Sequence, residues 1–293
     1  MQKKEMAGLM VIAAGCLWGV IGFDAVQITA LRSLVTAVGL FLLLFCKDRK
    51  LCRIDWKDLW MFLGTGICSI AGFNIFYFVT ISITTLSVAA ILLYTAPFFV
   101  MVLSAVLFHE KITAQKVKGL VLALAGCICT TGIFSGSIHV TALGILTGVA
   151  SGFCYALYSI FGKFALKKYT SETVTLYTFL MASAAMLPLS HPADMFSLAV
   201  SDFSLTGGIL LLGLVCTLLP FLLYTRGLSR MDSGKASVLA FAEPLTATLM
   251  GVVAFGEVPD GFGWLGVILL FGALVLLQMP QKQRKTGKIP NIL

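Results

Sequence analysis

Ten runs of about twenty mostly apolar residues follow one another along this chain: 7–23, 26–46, 59–81, 86–108, 117–134, 142–162, 173–189, 204–225, 235–255 and 261–279. A helix needs roughly 20 such residues to cross the hydrocarbon core of a bilayer. In that core only helices and closed barrels satisfy their own backbone groups. The runs predict an all-α membrane protein of ten transmembrane helices, called spans 1 to 10 below. Charged residues make up 12% of the chain, against roughly 25% in soluble domains. Too little sequence lies between the runs to build a soluble domain.

The net charge of +8 invites a polyanionic partner, but its distribution argues for topology instead. With the N-terminus inside and ten crossings, the inner segments collect Lys3 and Lys4, the basic group from Lys47 to Lys57, Lys111 to Lys118, Lys163 to Lys168, Arg226 to Lys235, and Lys282 to Lys288. Of the 21 Lys and Arg residues, only Arg32 falls elsewhere, inside span 2. The outer turns carry Asp24, Asp194, Asp202, Glu257 and Asp260. One missed or extra span would destroy this positive-inside pattern. It puts both termini, including a basic tail at 280–293, in the cytoplasm of a cell with a multi-pass cytoplasmic membrane protein, and it removes the case for nucleic acid. Lys3-Lys4 followed by an apolar run and Ala13-Ala14-Gly15-Cys16 has the look of a cleaved leader. Cleavage would leave nine spans and break the charge alternation, so the segment is read as an uncleaved first helix.

The eight cysteines lie in spans or in the first inner loop, which leaves no external disulfide framework. Cys127-x-Cys129 has no matching pair and reads as buried filler. Neither a metal nor a cofactor is expected.

The chain also says something twice. Tyr94-Thr95-Ala96-Pro97, Glu110 and Gly119 recur 147 residues later as Phe241-Ala242-Glu243-Pro244, Glu257 and Gly266. The same offset pairs Gly66 with Gly213, Tyr77 with Tyr224 and Ala89 with Ala236. A period of half the chain means two structural copies, at 6–134 and 142–279, with five spans each. An odd number of spans makes the second copy enter from the opposite side, a 5+5 inverted-topology repeat typical of secondary transporters. Near the start the offset falls to 138, where Cys16-Leu17 faces Cys154-Tyr155, so copy one lacks the counterparts of 162–170. Span 1, from Ala7 to Phe23, would be only roughly 25 Å long against a core of about 30 Å. That shortening is either a tolerated mismatch or a variant with impaired gating.

At these residues the chain resembles the drug/metabolite transporter superfamily, in its EamA-type branch. The resemblance rests on Trp18-Gly19, Ala30-Leu31-Arg32, Tyr94-Thr95-Ala96-Pro97 with Phe108-His109-Glu110-Lys111-Ile112 and Gly119, and Ala242-Glu243-Pro244 with Phe255-Gly256-Glu257 and Gly266. It covers nearly the whole chain. It implies ten helices in a 5+5 inverted repeat, alternating-access movement of small metabolites, often export, and a pathway between spans 1, 3, 4, 6, 8 and 9. It does not choose among amino acids, sugars, nucleobases and drugs. The shortened span 1 departs from the family pattern at the outer mouth of that pathway.

Ionisable side chains at membrane depth are costly, so each calls for a reason. Glu243 lies about eight residues into span 9, roughly 12 Å from the inner surface. Its repeat partner is Ala96, so the scaffold does not demand a carboxylate there. It could face a cavity and bind a substrate ammonium or a coupling proton, or it could be tied to hydroxyls or to Arg32. Pro97 and Pro244 each remove a backbone hydrogen bond and mark hinges in spans 4 and 9. Arg32, whose repeat partner is Phe179, reads as a structural pairing or a snorkelling anchor ahead of a substrate-carboxylate ligand. Tyr77, Tyr94, Tyr155, Tyr158 and Tyr224, with Trp18 and Asn74, could give a cavity apolar walls with a few hydrogen bonds. Each could equally pack between helices. Glu110 and Glu257 read as caps for spans 5 and 10 or as partners of nearby amides.

The sequence thus favours a secondary transporter, an exporter of small metabolites or drugs, with protons as the candidate coupling ion. Its partners are a small-molecule substrate and the lipid bilayer, as a monomer or a homodimer. A non-transporting scaffold or sensor is the alternative. A membrane enzyme is weaker, because His109, His139 and His191 lie in loops on different sides and no His-Glu-x-x-His run or phosphate-binding Gly-x-x-x-x-Gly-Lys loop exists.

Overall fold

The computed structural model of the chain describes residues 25–131, 140–193, 203–256 and 258–279. Span 1 with Trp18 and the span 1 shortening, the 132–139 linker, Glu257 and the 280–293 tail lie outside the described residues. Among the described residues every regular element is helical, and eight helices are long and apolar enough to cross a membrane. The chain is a multi-pass membrane protein.

Span 2 is α1 (Ala25–Lys47). Span 3 is built from α2 (Leu59–Leu63), a π-helical segment (Gly64–Ala71) and α3 (Gly72–Ile83). Span 4 is α4 (Leu86–Leu93) and α5 (Ala96–Phe108). Span 5 is α6 (Ala114–Thr130), a helix of 17 residues. Span 6 is α7 (Ala142–Ala165) and span 7 is α8 (Ser171–Met186). Span 8 repeats the build of span 3, with α9 (Phe203–Gly213), a π-helical segment (Leu214–Leu218) and α10 (Leu219–Leu228). Span 9 is α11 (Ser233–Leu239) and α12 (Ala242–Phe255), and span 10 is α13 (Gly261–Gln278).

The ends of these helices follow from side chains that accept the otherwise orphaned first-turn amides. Thr85, Thr113, Thr141, Thr170 and Asp260 each accept from the amide three residues on. The interruptions in spans 4 and 9 fall just before Pro97 and Pro244. Proline supplies no amide hydrogen for the carbonyl four residues back, and the chain re-forms those bonds locally. Thr95 Oγ1 donates to the Leu92 carbonyl at 2.6 Å, and the Glu243 amide donates to the Ala240 carbonyl at 2.9 Å. At the far ends, His109 (φ 56°) and Gly256 (φ 66°) both close their helices in the left-handed conformation. They bond back to the Ser104 and Gly251 carbonyls respectively. Both pairs of residues are 147 apart.

Packing is closest between α6 and α13, which run antiparallel. A Cβ on Gly126 would lie 3.0 Å from the Gly266 carbonyl oxygen, and one on Gly266 would lie 2.7 Å from that of Gly126. Small residues allow this approach, which gives dispersion contact where lipid offers no hydrophobic driving force. Gly119 meets Leu277, and Gly266 meets Thr130. Around this pair sits a buried cluster of Met101, Leu120, Ala123, Cys127, Val238, Phe241, Leu270, Ala273 and Leu277. Cys127 is packing filler there, 1% exposed. Outward, Leu43, Val106, Val121, Leu146, Ile268 and Phe271 are exposed, as helices bathed in hydrocarbon require.

The loops that the charge pattern places inside are tied across the chain. Tyr169 and Lys168 reach Asp58 at 2.6 Å each, and Lys168 also pairs with Asp55. Lys168 first, and then Tyr169, hold the Asp58 carboxyl below the usual aspartate range. This clamp is therefore in place at neutral pH and lost only as acid protonates Asp58. Lys116, 3% exposed, pairs with Asp232 at 2.9 Å. Glu110 does not cap span 5, where Thr113 does so. It accepts instead from Ser233 N (2.9 Å), Ser233 Oγ (3.1 Å) and Gly234 N (3.3 Å), and so caps α11.

Replacing Gly266 with Leu should drive a side chain into the α6 backbone. Overpacking costs about 1–3 kcal/mol, so Gly266→Leu is expected to lower the melting temperature in detergent by several degrees. Gly272→Leu on the same helix, where a Cβ meets nothing within 4 Å, should leave it unchanged.

Candidate functional site

Glu243 stands in the first turn of α12, immediately after the break in span 9. This is the positive end of a half-helix, which suits a carboxylate. Among the described residues its side chain makes no hydrogen bond and no ion pair. Its carboxylate is within electrostatic reach of Arg32 of α1, Tyr77 of α3, Tyr94 between α4 and α5, Cys127 of α6 and Tyr155 of α7. These groups belong to five different spans, which sets Glu243 toward the space between the spans, a candidate chamber.

The chamber wall is aromatic. Tyr155 meets Phe73 edge-on with ring centroids 5.3 Å apart, and Phe73 meets Tyr77 at 6.3 Å. Tyr155 also packs on the buried cluster of Ala96, Val100 and Ala156. Tyr94 and Phe241 stack at 5.5 Å, joining the two broken spans at their breaks. Tyr77, Tyr94 and Tyr155 are only partly buried, and among the described residues their hydroxyls bond to no protein group.

Arg32 enters from α1. It does not snorkel toward either surface: Nη2 donates to Asn74 Oδ1 at 3.1 Å. Asn74 is 1% exposed and is held by its own Nδ2, which donates to the Ile70 carbonyl at 2.7 Å. Thr29 Oγ1 donates to the same Oδ1 at 3.3 Å. Arg32 and Glu243 do not pair. The ion pairs among the described residues are those of Lys116, Lys168 and Arg226, at helix ends and turns on the basic side.

Two of the expected residues go elsewhere. Tyr158 is 4% exposed and its hydroxyl shares a hydrogen with Thr225 Oγ1 at 2.6 Å; Tyr224 bonds Ser159 Oγ at 2.7 Å. Both rings pack with Ala37, Ile70, Phe179 and Phe221 and tie span 6 to span 8. Pro97 and Pro244 are buried at the breaks. Trp18 lies outside the described residues. Phe73 was not among the sequence candidates. It is one residue before Asn74, and its apolar ring gives no signal that separates a chamber wall from a lipid-facing side.

The sequence profile of the EamA-like transporter family matches this chain twice, over residues 6–132 and 142–279. A protein of Archaeoglobus fulgidus named as an uncharacterized transporter is 31% identical over 205 residues, 70% of this chain and 72% of that one. YwfM of Bacillus subtilis, also named an uncharacterized transporter, is 27% identical over 296 residues, 96% of this chain and 97% of its own. YicL of Salmonella typhimurium, named an uncharacterized inner membrane transporter, is 23% identical over 297 residues, 94% of this chain and 96% of its own. A protein of known crystal structure superposes with a TM-score of 0.75 at 21% identity, covering 93% of this chain and 94% of that one, which speaks to fold alone.

The two classes of tyrosine should separate on mutation. Tyr158→Phe removes the buried hydrogen bond to Thr225, a loss of about 1 kcal/mol, and should lower the thermal midpoint. Tyr155→Phe removes a hydroxyl that bonds to no protein group and should leave the midpoint unchanged. Thermal unfolding of both purified variants checks this.

Proposed function

The chain belongs to the EamA-like transporter family, and from that premise we propose that it is a secondary transporter which exports a small metabolite or drug across the cytoplasmic membrane by alternating access. The reading is carried by Glu243: an unpaired carboxylate in an internal chamber, at the restart of a broken span. A carboxylate left without protein partners at that depth is explained by a solute or proton that visits it.

The proposal includes ten crossings with both termini in the cytoplasm and two five-helix halves of opposite orientation. Several observations support the inversion. The family profile matches once in each half. The π-helical segments, the broken spans and the left-handed caps recur in both. The contacts between α6 and α13 are reciprocal: Gly119 meets Leu277 while Thr130, 147 residues before Leu277, meets Gly266, 147 after Gly119. Reciprocal contact between equivalent antiparallel helices is what a pseudo-two-fold axis in the membrane plane produces.

Alternating access then needs one side to close while the other opens. On the side of the charged loops, Lys163 donates to the Leu228 and Met231 carbonyls at 2.9 and 2.6 Å. With the Glu110 and Lys116 contacts, these tie the turn between spans 8 and 9 to three other spans. On the opposite side the cross-links among the described residues include neutral ones, such as Thr80 to Thr147 at 2.9 Å and Gln27 to the Ser190 carbonyl at 3.3 Å. We read this as a state closed toward the cytoplasm, with span breaks at Tyr94–Thr95 and Ala240–Phe241 as the places where the backbone can bend.

Counterflow in proteoliposomes across a panel of amines, amino acids and nucleobases tests transport, and flux of no member would overturn it. With a transported solute in hand, a pH gradient should drive its accumulation by the parent protein. Glu243→Gln should lose that dependence and keep solute exchange. A variant that responds to the gradient as the parent does would show that Glu243 is not the coupling group.

A further inference from the structure

The connection between spans 2 and 3 runs through two short 3-10 turns, Arg49–Cys52 and Trp56–Asp58. Its inward side is pinned to the start of α8. Thr173 Oγ1 donates to the Leu51 carbonyl and Tyr177 Oη to the Cys52 carbonyl, both at 2.8 Å, and the Asp55 amide donates to Tyr169 Oη at 3.0 Å. Leu51 and Cys52 pack on the buried cluster that holds Leu44 and Leu176, and Ile54 packs on the one that holds Phe62. The three carboxylates of the connection are engaged locally. Asp55 and Asp58 take Lys168, and Asp48 accepts from the Lys50 amide at 2.9 Å.

The outward side is left positive and aromatic. Trp56 is 86% exposed. Lys47, Arg49, Lys50, Arg53 and Lys57 are all exposed, and among the described residues their side chains form no ion pair and donate no hydrogen bond. Arg49 lies over the ring of Phe45, with Cζ 4.1 Å from the centroid. Phe45, Leu42 and Leu43 are themselves exposed along α1, so this flank of the helix faces hydrocarbon and the patch stands at its border. A connection held this firmly could have turned its tryptophan inward or matched its cations to its own carboxylates. It does neither. An amphipathic ring at headgroup level and unpaired Lys and Arg beside a helix end are what an anionic leaflet attracts.

We propose that this connection is a binding site for an anionic phospholipid of the leaflet on the basic side, with the headgroup phosphate held by Arg53 and Lys57, which flank Trp56. Cations alone would suit any polyanion. A lipid is favoured because Trp56 offers an apolar ring beside them and because Arg49 on Phe45 ties the patch to a lipid-facing helix. An anionic headgroup is favoured over a zwitterionic one, whose ammonium would enter a group of five cations. The site needs only the placement of the chain in a membrane and stands apart from the transport reading.

The full chain in a non-ionic detergent would be titrated calorimetrically with dioctanoyl phosphatidylglycerol, dioctanoyl phosphatidylcholine and glycerol 1-phosphate. The two lipids share their chains and differ in headgroup charge, and the third probe carries the phosphate without chains. Phosphatidylglycerol should bind about tenfold or more tightly than either of the others. Arg53→Gln with Lys57→Gln should bring the two lipids within about threefold of each other. Lys118→Gln with Arg230→Gln removes the same charge from other exposed positions on the basic side and should leave the preference intact. Equal binding of the two lipids to the parent overturns the proposal. So does glycerol 1-phosphate that binds as tightly as phosphatidylglycerol, which would make this a site for soluble phosphate. An equal loss in both double variants overturns it as well, because charge anywhere on that side would then suffice. The comparison of lipids on the parent holds even where a variant fails to fold.

Discussion

A backbone group in hydrocarbon must find its partner inside the chain, and the two broken spans exist only because this requirement is met around them. At the break in span 4, the carbonyls of Leu92 and Leu93 face α7 at Gly152, where a Cβ would lie 2.9 and 3.3 Å away. Span 6 thus covers the break at backbone distance, and only a residue without a side chain permits it. Thr95 then supplies its hydroxyl to Leu92. Once an interrupted helix is shielded in this way, its restart can present a helix N-terminus to the interior. Glu243 stands at such a restart. The close packing of glycines, the prolines and the carboxylate are parts of one solution.

The placement of charge follows the same economy. Every ion pair among the described residues lies at helix ends or in the turns between spans, and in each at least one partner side chain is half-exposed or more. In the interior, Arg32 and Glu243 are both present and neither is neutralised by a protein partner of opposite sign. Forming a pair there would have been the cheaper arrangement for folding alone, since a lone buried charge is strongly destabilising. The Asn74 amide, immobilised by Ile70 and Thr29, keeps Arg32 aimed without cancelling it.

Eight spans were legible because apolar length is a property of the chain itself. So were the breaks, since Pro97 and Pro244 carry their own cause. Glu243 stood out because a carboxylate in an apolar run has no bland company. The tyrosines were not separable in the same way. Tyr155 and Tyr158 are three residues apart on α7, yet one faces the chamber and the other bonds Thr225, 67 residues away. Spacing reports the face of a helix, not what the facing helix offers. Glu110 misled for a related reason: it precedes span 5, but the amides it accepts from belong to α11, 123 residues on. The π-helical segments were not legible: Gly64–Ala71 carries Gly, Thr and Ser, which weaken a helix, but these residue types do not specify a wider turn.

The two interior charges also differ from their repeat partners in the same sense. Ala96, opposite Glu243, is 2% exposed, and Phe179, opposite Arg32, is fully buried. At both positions the fold is served well by an apolar residue in one half. The charged residue in the other half is therefore not required by the architecture, and it carries a desolvation cost that the apolar residue avoids. Two such departures could have fallen anywhere among the spans. One arose in span 2 of the first half and the other in span 9 of the second, and they face the same chamber. Independent costs that converge on one volume are hard to account for by packing, which would be satisfied by removing either.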